Sequence, residues 1–453
     1  MITRYIIMKR KIVIMAVTML TAFSMQAQKQ WTLQECIDYA MQNNITLQKA
    51  RLQSLSAAED VKQAKAALLP TLSASTNQSI GYRPWQDNGT TTVTNGQVNT
   101  KVDKSYYNGS YGLNASWTLW NGNRNRNTVK QDKLTAEQSE LEAETTANSI
   151  QEQIAQLYVQ ILYLTDALKV SEQSLETSKK NEERGKEMLE VGKMSRADVA
   201  QLTAQRASDE YSIVEMNSNI AKYKLQLKQL LRLGNDNTFD IAIPETTDDQ
   251  ALAAIPAMQT VYEEALSSRP EIKKSLLAVK SSELGVKIAK AGYYPTLNMT
   301  GGIGTSTNTL SNRSWGDQLK TSFDASAGLS LSIPIFDGRQ TKTNVAKARI
   351  QQQQSLMDLH NAEDDLYETI EQYWLDAETN QQKFRTALAT VESEQLSFDL
   401  LSEQFRLGLK NIIELMTGKD KLLNAQQNML QSKYQTILAQ QMLRFYRGER
   451  IEN

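Results

Sequence analysis

The chain has 453 residues, 40% of them hydrophobic, and a formal net charge of −1. That balance gives no electrostatic footprint for nucleic acid, and a mean hydropathy of −0.49 is too polar for a bundle of membrane-spanning helices. One cysteine (Cys36) and one histidine (His360) provide no disulfide framework and no metal-ligand set, while only seven prolines permit very long helices.

Residues 1–27 read as a cleaved export signal. Lys9, Arg10 and Lys11 start it, Ile12 to Phe23 is apolar, and Ser24-Met25-Gln26-Ala27 supplies a small-residue exit. The apolar run is shorter than the roughly 20 residues of a membrane-crossing helix; a retained N-terminal anchor is the alternative. The segment 28–234 then reads helix, strand, loop, strand, very long helix, tight turn, helix. Its first helix ends before Pro70, and strands at about 71–82 and 106–119 flank a Thr-, Asn- and Gly-rich loop. After SWTLWNG, which ends at Gly122, Ile150, Ile154, Leu157, Ile161, Leu164, Leu168 and Leu175 form a heptad seam. The long helix turns at Gly192, and Ser195 caps the returning helix. Gly234 reads as a helix-ending glycine, and 235–258 as a linker. The segment 259–448 runs the same course: a helix to Pro295, strands at about 296–305 and 322–335 around a loop, a long helix after IPIFDG, a turn at Gly408, and a helix capped by Asn411. Residues 449–453 are a tail.

The two segments read as copies. QAKAALLPTLS around Pro70 matches IAKAGYYPTLN around Pro295 at an offset of 295 − 70 = 225. The glycine turns at Gly122 and Gly338 stand 338 − 122 = 216 apart, and the tip VGKMSRAD matches LGLKNIIE at the same 216. The first half therefore carries extra residues between its proline and its glycine turn, and a rod of set length follows in each. At about 1.5 Å per residue each rod reaches roughly 100 Å.

In YYNGSYGLNASWTLW, Tyr107, Tyr111, Leu113, Ala115, Trp117 and Leu119 oppose Asn108, Ser110, Asn114, Ser116 and Thr118. In SFDASAGLSLSIPI, an apolar row from Phe323 to Ile335 opposes Asp324, Ser326, Ser330 and Ser332. One apolar and one small-polar face at period two is the pattern of a transmembrane β-barrel. Asp324 is the one charge in the four strands, and it falls on the polar face. Aromatic residues at strand ends suit an interfacial girdle. Four strands cannot close a barrel, and an open edge in lipid leaves backbone groups without partners. Three copies give twelve strands, which predicts a homotrimer. On the helices alone, the competing reading is a periplasmic or cell-surface coiled-coil scaffold without a pore. No catalytic constellation is present, so no enzyme activity, cofactor or metal is expected; His360 sits on a solvated helix face.

Taken in order, the AKA…PTL transitions, the WNG and IPIFDG turns, and the VGKMSRADV and LGLKNIIELM tips resemble the TolC-type outer-membrane efflux protein family over about Trp31 to Gly448. The resemblance implies an α+β fold: a trimeric 12-stranded outer-membrane β-barrel continued by a long periplasmic α-helical coiled-coil tunnel. Pro70, Trp120, Gly122, Pro295, Pro334, Phe336 and Gly338 would mark the barrel-to-tunnel transitions. Val191, Gly192, Met194 and Ser195, with Leu407, Gly408, Asn411 and Ile412, would be the tips that dock a periplasmic adaptor (membrane-fusion protein). Glu414 matches the first of two acidic gate residues, Thr417 stands where the second would be, Asp198 is the equivalent acid of the first half, and Lys410 matches a basic residue that locks the closed state. The function implied is a passive exit duct of a tripartite efflux or type I secretion system. It would sit in outer-membrane lipid and serve an inner-membrane pump of RND type or an ABC exporter.

Overall fold

The computed structural model describes residues 30–85, 88–93, 96–101, 104–234, 239–244, 246–309, 311 and 313–451; the export signal read at 1–27 lies outside them. After β1 (Gln30–Trp31), Thr32 opens α1 (Leu33–Asn43) with a reciprocal cap. The Thr32 hydroxyl accepts from the Glu35 N–H at 3.2 Å, and the Glu35 carboxylate accepts from the Thr32 N–H at 3.0 Å. α2 (Ile45–Ala66) stops short of Pro70. Strands β2 (Thr71–Tyr82), β3 (Asn88–Val93), β4 (Gly96–Lys101) and β5 (Ser105–Trp120) follow, then helices α3 (Arg124–Glu190) and α4 (Arg196–Leu231). The linker holds β6 (Asp240–Ile241) and α5 (Asp248–Leu252). Next come α6 (Met258–Ser268) and α7 (Pro270–Lys290), which has proline at its first position, where no N–H is needed. Strand β7 (Thr296–Asn308), α8 (Trp315–Thr321), β8 (Asp324–Ser332), α9 (Gln340–Arg406) and α10 (Ile412–Tyr446) complete the chain. α3 and α9 have 67 residues each. Among the described residues, no helix is long and apolar enough to cross a membrane.

Three expectations need correction. The strand read at 322–335 is shorter: Pro334 has no N–H to give a ladder, and Ile333 to Phe336 lie outside β8. The two loops carry structure of their own, the β3–β4 hairpin in one and α8 in the other. At the end of α4 the left-handed residue is Arg232 (φ 58°) rather than Gly234, because the Arg232 and Leu233 N–H groups already close back onto the carbonyls of Gln229 and Lys228.

The chain divides into a strand unit, 52–140 and 274–360, and a helical unit, the described residues of 1–51, 141–273 and 361–453. In the strand unit an antiparallel sheet has the order β2-β5-β7-β8. Its register aligns Ala74, Leu113, Ile303 and Ala325 in one row and Ser73, Asn114, Gly302 and Ser326 in the next. Alternation sends these rows to opposite faces. α8 covers one end of the apolar face, where Trp315 meets Tyr111 edge-on at 6.3 Å; the rest is bare, with Leu329 70% exposed, and β2 and β8 each have one unpaired edge.

Both strand-to-helix turns use two consecutive left-handed residues, Gly122 (φ 67°) with Asn123 (62°), and Gly338 (61°) with Arg339 (71°). Gly122 is also hemmed in: a Cβ there would stand 2.9 Å from Tyr294 Cβ and 3.0 Å from the Ala291 carbonyl oxygen. Trp120 meets Tyr294 edge-on at 6.1 Å, and Trp117 Nε1 donates to the Leu68 carbonyl at 2.8 Å. The Asn121 side-chain oxygen accepts from the Asn125 N–H at 3.3 Å, and the Asp337 carboxylate from the Thr341 N–H at 2.8 Å, so each turn residue caps its helix.

In the helical unit β1 pairs in parallel with β6. The linker is bound down where Ala251 packs on Phe384 and Ile437 and the Gln381 amide donates to the carbonyls of Ala251 (2.9 Å) and Ala253 (2.8 Å). Along α3, Ile150, Ile154 and Ile161 are buried as the seam predicts, but Leu157, Leu164, Leu168 and Leu175 are only half-buried. Towards Glu190 the buried positions are Ser171, Ser178, Glu182 and Gly185.

Candidate functional site

The two helix-helix turns of the helical unit are built alike. In the first, the Lys193 N–H donates to the Met188 carbonyl at 2.8 Å and the Gly192 N–H to that of Leu189 at 3.0 Å; in the second, Leu409 donates to Gln404 at 2.9 Å and Gly408 to Phe405 at 3.0 Å. This double closure needs a left-handed residue just past the helix, supplied by Gly192 (φ 70°) and Gly408 (φ 76°). A Cβ at either would meet nothing within 4 Å. Replacing either glycine by alanine is therefore expected to act through backbone strain alone, lowering thermal stability by about 1–2 kcal/mol per site, with asparagine milder than alanine.

Reciprocal caps open the returning helices. Ser195 Oγ accepts from the Asp198 N–H at 3.1 Å while the Asp198 carboxylate accepts from the Ser195 N–H at 3.3 Å. Asn411 Oδ1 accepts from the Glu414 N–H at 2.9 Å while Glu414 accepts from the Asn411 N–H at 3.2 Å. Asp198 and Glu414 thus satisfy helix-end donors and suit the positive end of the helix dipole. Glu414 has a second partner, Lys410 Nζ at 2.6 Å. That ammonium, with the Asn411 N–H, holds the Glu414 carboxyl below the usual carboxylate range.

Around the caps the structure sorts the predicted docking residues into two sets. Val191 (67%) and Leu407 (59%) are exposed. Ile412 is buried with Phe405 and Leu415, and its neighbours Leu409 and Ile413 carry the exposed apolar surface in its place. The cap at Asn411 sets this phase, turning the first helical residue inward and the second outward. Met194, from the first turn, packs against the same cluster together with Leu202, so the two turns meet. Thr417 is exposed on α10.

Further along the same helices is a buried polar node. Lys419 Nζ donates to Ser178 Oγ at 2.6 Å and pairs with the Asp209 carboxylate, which also accepts from Ser178 Oγ at 2.6 Å. The Gln205 amide joins Asp209 (3.1 Å) to Asp420 (3.3 Å). Next to it Glu182 accepts from Arg206 Nε at 2.6 Å and Thr203 Oγ1 at 3.0 Å and pairs with Lys186 at 2.8 Å. α10 is thereby joined to α4 by an ion pair as well as by apolar contact, and to α3 by a hydrogen bond from the same ammonium.

The model of the outer membrane efflux protein family matches residues 36–232 and 261–449. The chain belongs to that family. It shares 23% identity over 421 residues with the outer membrane efflux protein BepC of Brucella suis biovar 1, covering 92% of this chain and 86% of the relative. With the outer membrane protein TolC of Escherichia coli K12 it shares 21% over 443 residues, 96% of this chain and 85% of that one. The crystal structure of the outer membrane protein VceC from Vibrio cholerae superposes with a TM-score of 0.78 at 19% identity, covering 93% of this chain and 97% of VceC. Family membership makes the chain an outer-membrane efflux and secretion channel protein of helical-tunnel and barrel fold, and it removes the scaffold alternative.

The Lys419 node leaves little trace in the sequence. Its one sequence signal is the run of polar residues at seam spacing, Ser171, Ser178 and Glu182, where a coiled-coil seam calls for apolar ones.

Proposed function

We propose that three copies of the chain form one exit duct, in which each contributes its four strands to a 12-stranded barrel and its helices to a periplasmic tunnel. The observation that carries this reading is the four-stranded sheet with two unpaired edges and an apolar face bare over most of its length. Lipid cannot satisfy those edges, whereas β8 of one copy against β2 of the next can. The chain itself is read as two copies of one strand-and-helix unit. In support, Gly122 and Gly338, Asn123 and Arg339, Gly192 and Gly408, and Arg232 and Gly448 all have positive φ, and each pair is separated by the same 216 residues (448 − 232). The duct would carry out no chemistry of its own; it would pass what an inner-membrane pump, of RND type or an ABC exporter, delivers.

The tips are the proposed docking surface for a periplasmic adaptor, with Val191, Leu407, Leu409 and Ile413 as its exposed apolar contacts and Gly192, Ser195, Gly408 and Asn411 fixing their turn. Glu414, paired with Lys410, is the proposed gate acid, with Asp198 as its counterpart in the first half. Adaptor binding would open the duct by contacting the open arrangement better than the closed one. The mass of the detergent-solubilised assembly and its conductance in a planar bilayer test the duct; a monomer, or no conductance, defeats it. Glu414→Gln is expected to reduce cation preference. In the unaltered duct that preference should persist as pH falls through the ordinary glutamate value of about 4.3 and fade only at more acid pH, because the folded value is depressed and the carboxylate with its Lys410 pair is lost only below it. An unchanged reversal potential in Glu414→Gln would remove Glu414 from the gate.

A further inference from the structure

Ion pairs crowd the helical unit, and in the strand unit Lys62 pairs with Glu59 at 2.6 Å. The unpaired cations of the strand unit are concentrated where the strands hand over to the long helices. Arg124, Arg126 and Lys130 open α3, and Arg339, Lys342 and Lys347 stand at the start of α9. All six are exposed. Between the capping Asp337 and Asp358, α9 has no acidic residue, and neither helix has an acid in its first turn.

This placement runs against local physics. The N-terminal end of a helix carries partial positive charge and favours acids, so cations there raise the energy of the isolated chain. α4 and α10, in the same chain, follow the rule with Asp198 and Glu414. The Asp337 cap offsets part of this at α9, but none of the six cations forms an ion pair with a described residue, and the charge left over points to an anion outside the chain.

The neighbouring surface identifies its source. Immediately before the cations come Ile335 (96% exposed) and Phe336 (89%) in the second half, and Trp120 in the first, with Tyr293 and Tyr294 also bare. An apolar and aromatic rim next to exposed lysine and arginine is the order met on crossing from hydrocarbon to lipid headgroups. From Arg339 to Lys347 α9 rises about 12 Å, comparable with the screening length of about 8–10 Å at ordinary ionic strength. We propose that this basic band seats the phosphate groups of anionic phospholipid in the periplasmic leaflet, giving the protein a preference for anionic over zwitterionic lipid at its boundary. The inference rests on the outer-membrane barrel proposed above.

The test uses the full mature protein in phosphatidylcholine vesicles doped with spin-labelled phosphatidylglycerol or spin-labelled phosphatidylcholine. The fraction of motionally restricted label is read at about 0.01 M and about 1 M salt. The expected result is a boundary preference for phosphatidylglycerol of about threefold or more at low salt. It should fall towards unity at high salt and be reduced in the variant Arg339→Gln/Lys342→Gln/Lys347→Gln. Equal association of the two lipids at low salt overturns the proposal even if the variant cannot be folded, and so does a preference that the substitutions leave unchanged. A shift in the duct's ion selectivity with no change in lipid preference would assign the band to the lumen and overturn it too. If neither lipid is restricted, the barrel reading itself falls, an outcome distinct from equal restriction of both.

Discussion

Lys419→Met is expected to lower the stability of the helical unit by about 3–5 kcal/mol, the range for removing one partner of a buried ion pair. Both Lys419 and Asp209 are less than a tenth exposed, so the carboxylate left behind has little water to turn to. Ser178 Oγ at 2.6 Å and the Gln205 amide at 3.1 Å remain as donors, but neither carries charge. Methionine nearly matches lysine in length, so packing changes little and the loss is electrostatic. The companion variant Lys419→Met/Asp209→Leu removes both charges and should recover most of the loss, because apolar replacement of a whole buried pair is often neutral or stabilising. Thermal melting of the helical circular-dichroism signal in detergent, run as a double-mutant cycle, reads both. A single-variant cost under about 1 kcal/mol would place the pair in the solvent-exposed class instead.

The partners of that node cannot be read from local spacing. The strands were legible because period-two alternation is local: one face of β5 reads Tyr111, Leu113, Ala115, and the other Ser110, Asn114, Ser116. The turns were legible for the same reason, since glycine followed by Ser or Asn with an acid three residues on is a self-contained signal. The seam of α3 was legible only as far as its leucines and isoleucines coincide with the inner face. Past Ala167 the buried side chains are Ser171, Ser178 and Glu182, and the partners of Ser178, Asp209 and Lys419, are tens to hundreds of residues away. No spacing within α3 announces a lysine on α10. Ile412 failed for a smaller reason: the cap decides which of two adjacent isoleucines points inward, and at a helix start a one-residue phase error reverses the face. Alternation overstates the length of β8 because it continues through Ile333 and Ile335 although Pro334 interrupts the ladder.

The second large effect concerns the strand unit. Leu113 lies midway along β5, on the apolar face, between Ala74 and Ile303 in the register. If that face meets hydrocarbon, Leu113→Arg puts a guanidinium near the bilayer midplane and should cost about 2–4 kcal/mol. Ser116→Arg, three residues on and on the opposite face, should cost much less and alter conductance instead, since lumen positions tune selectivity. Sheet propensity and edge effects are nearly the same at the two sites, because both lie on the same strand flanked by β2 and β7. The contrast therefore isolates what each face touches. Folding into lipid vesicles across a urea series measures the first substitution, and single-channel recording the second. Equal losses at the two sites would mean that both faces see water or both see protein, and the barrel would have to be given up. A loss at Leu113 alone, scaling down for the same substitution nearer the strand ends, is the depth profile a membrane imposes and a soluble sheet does not.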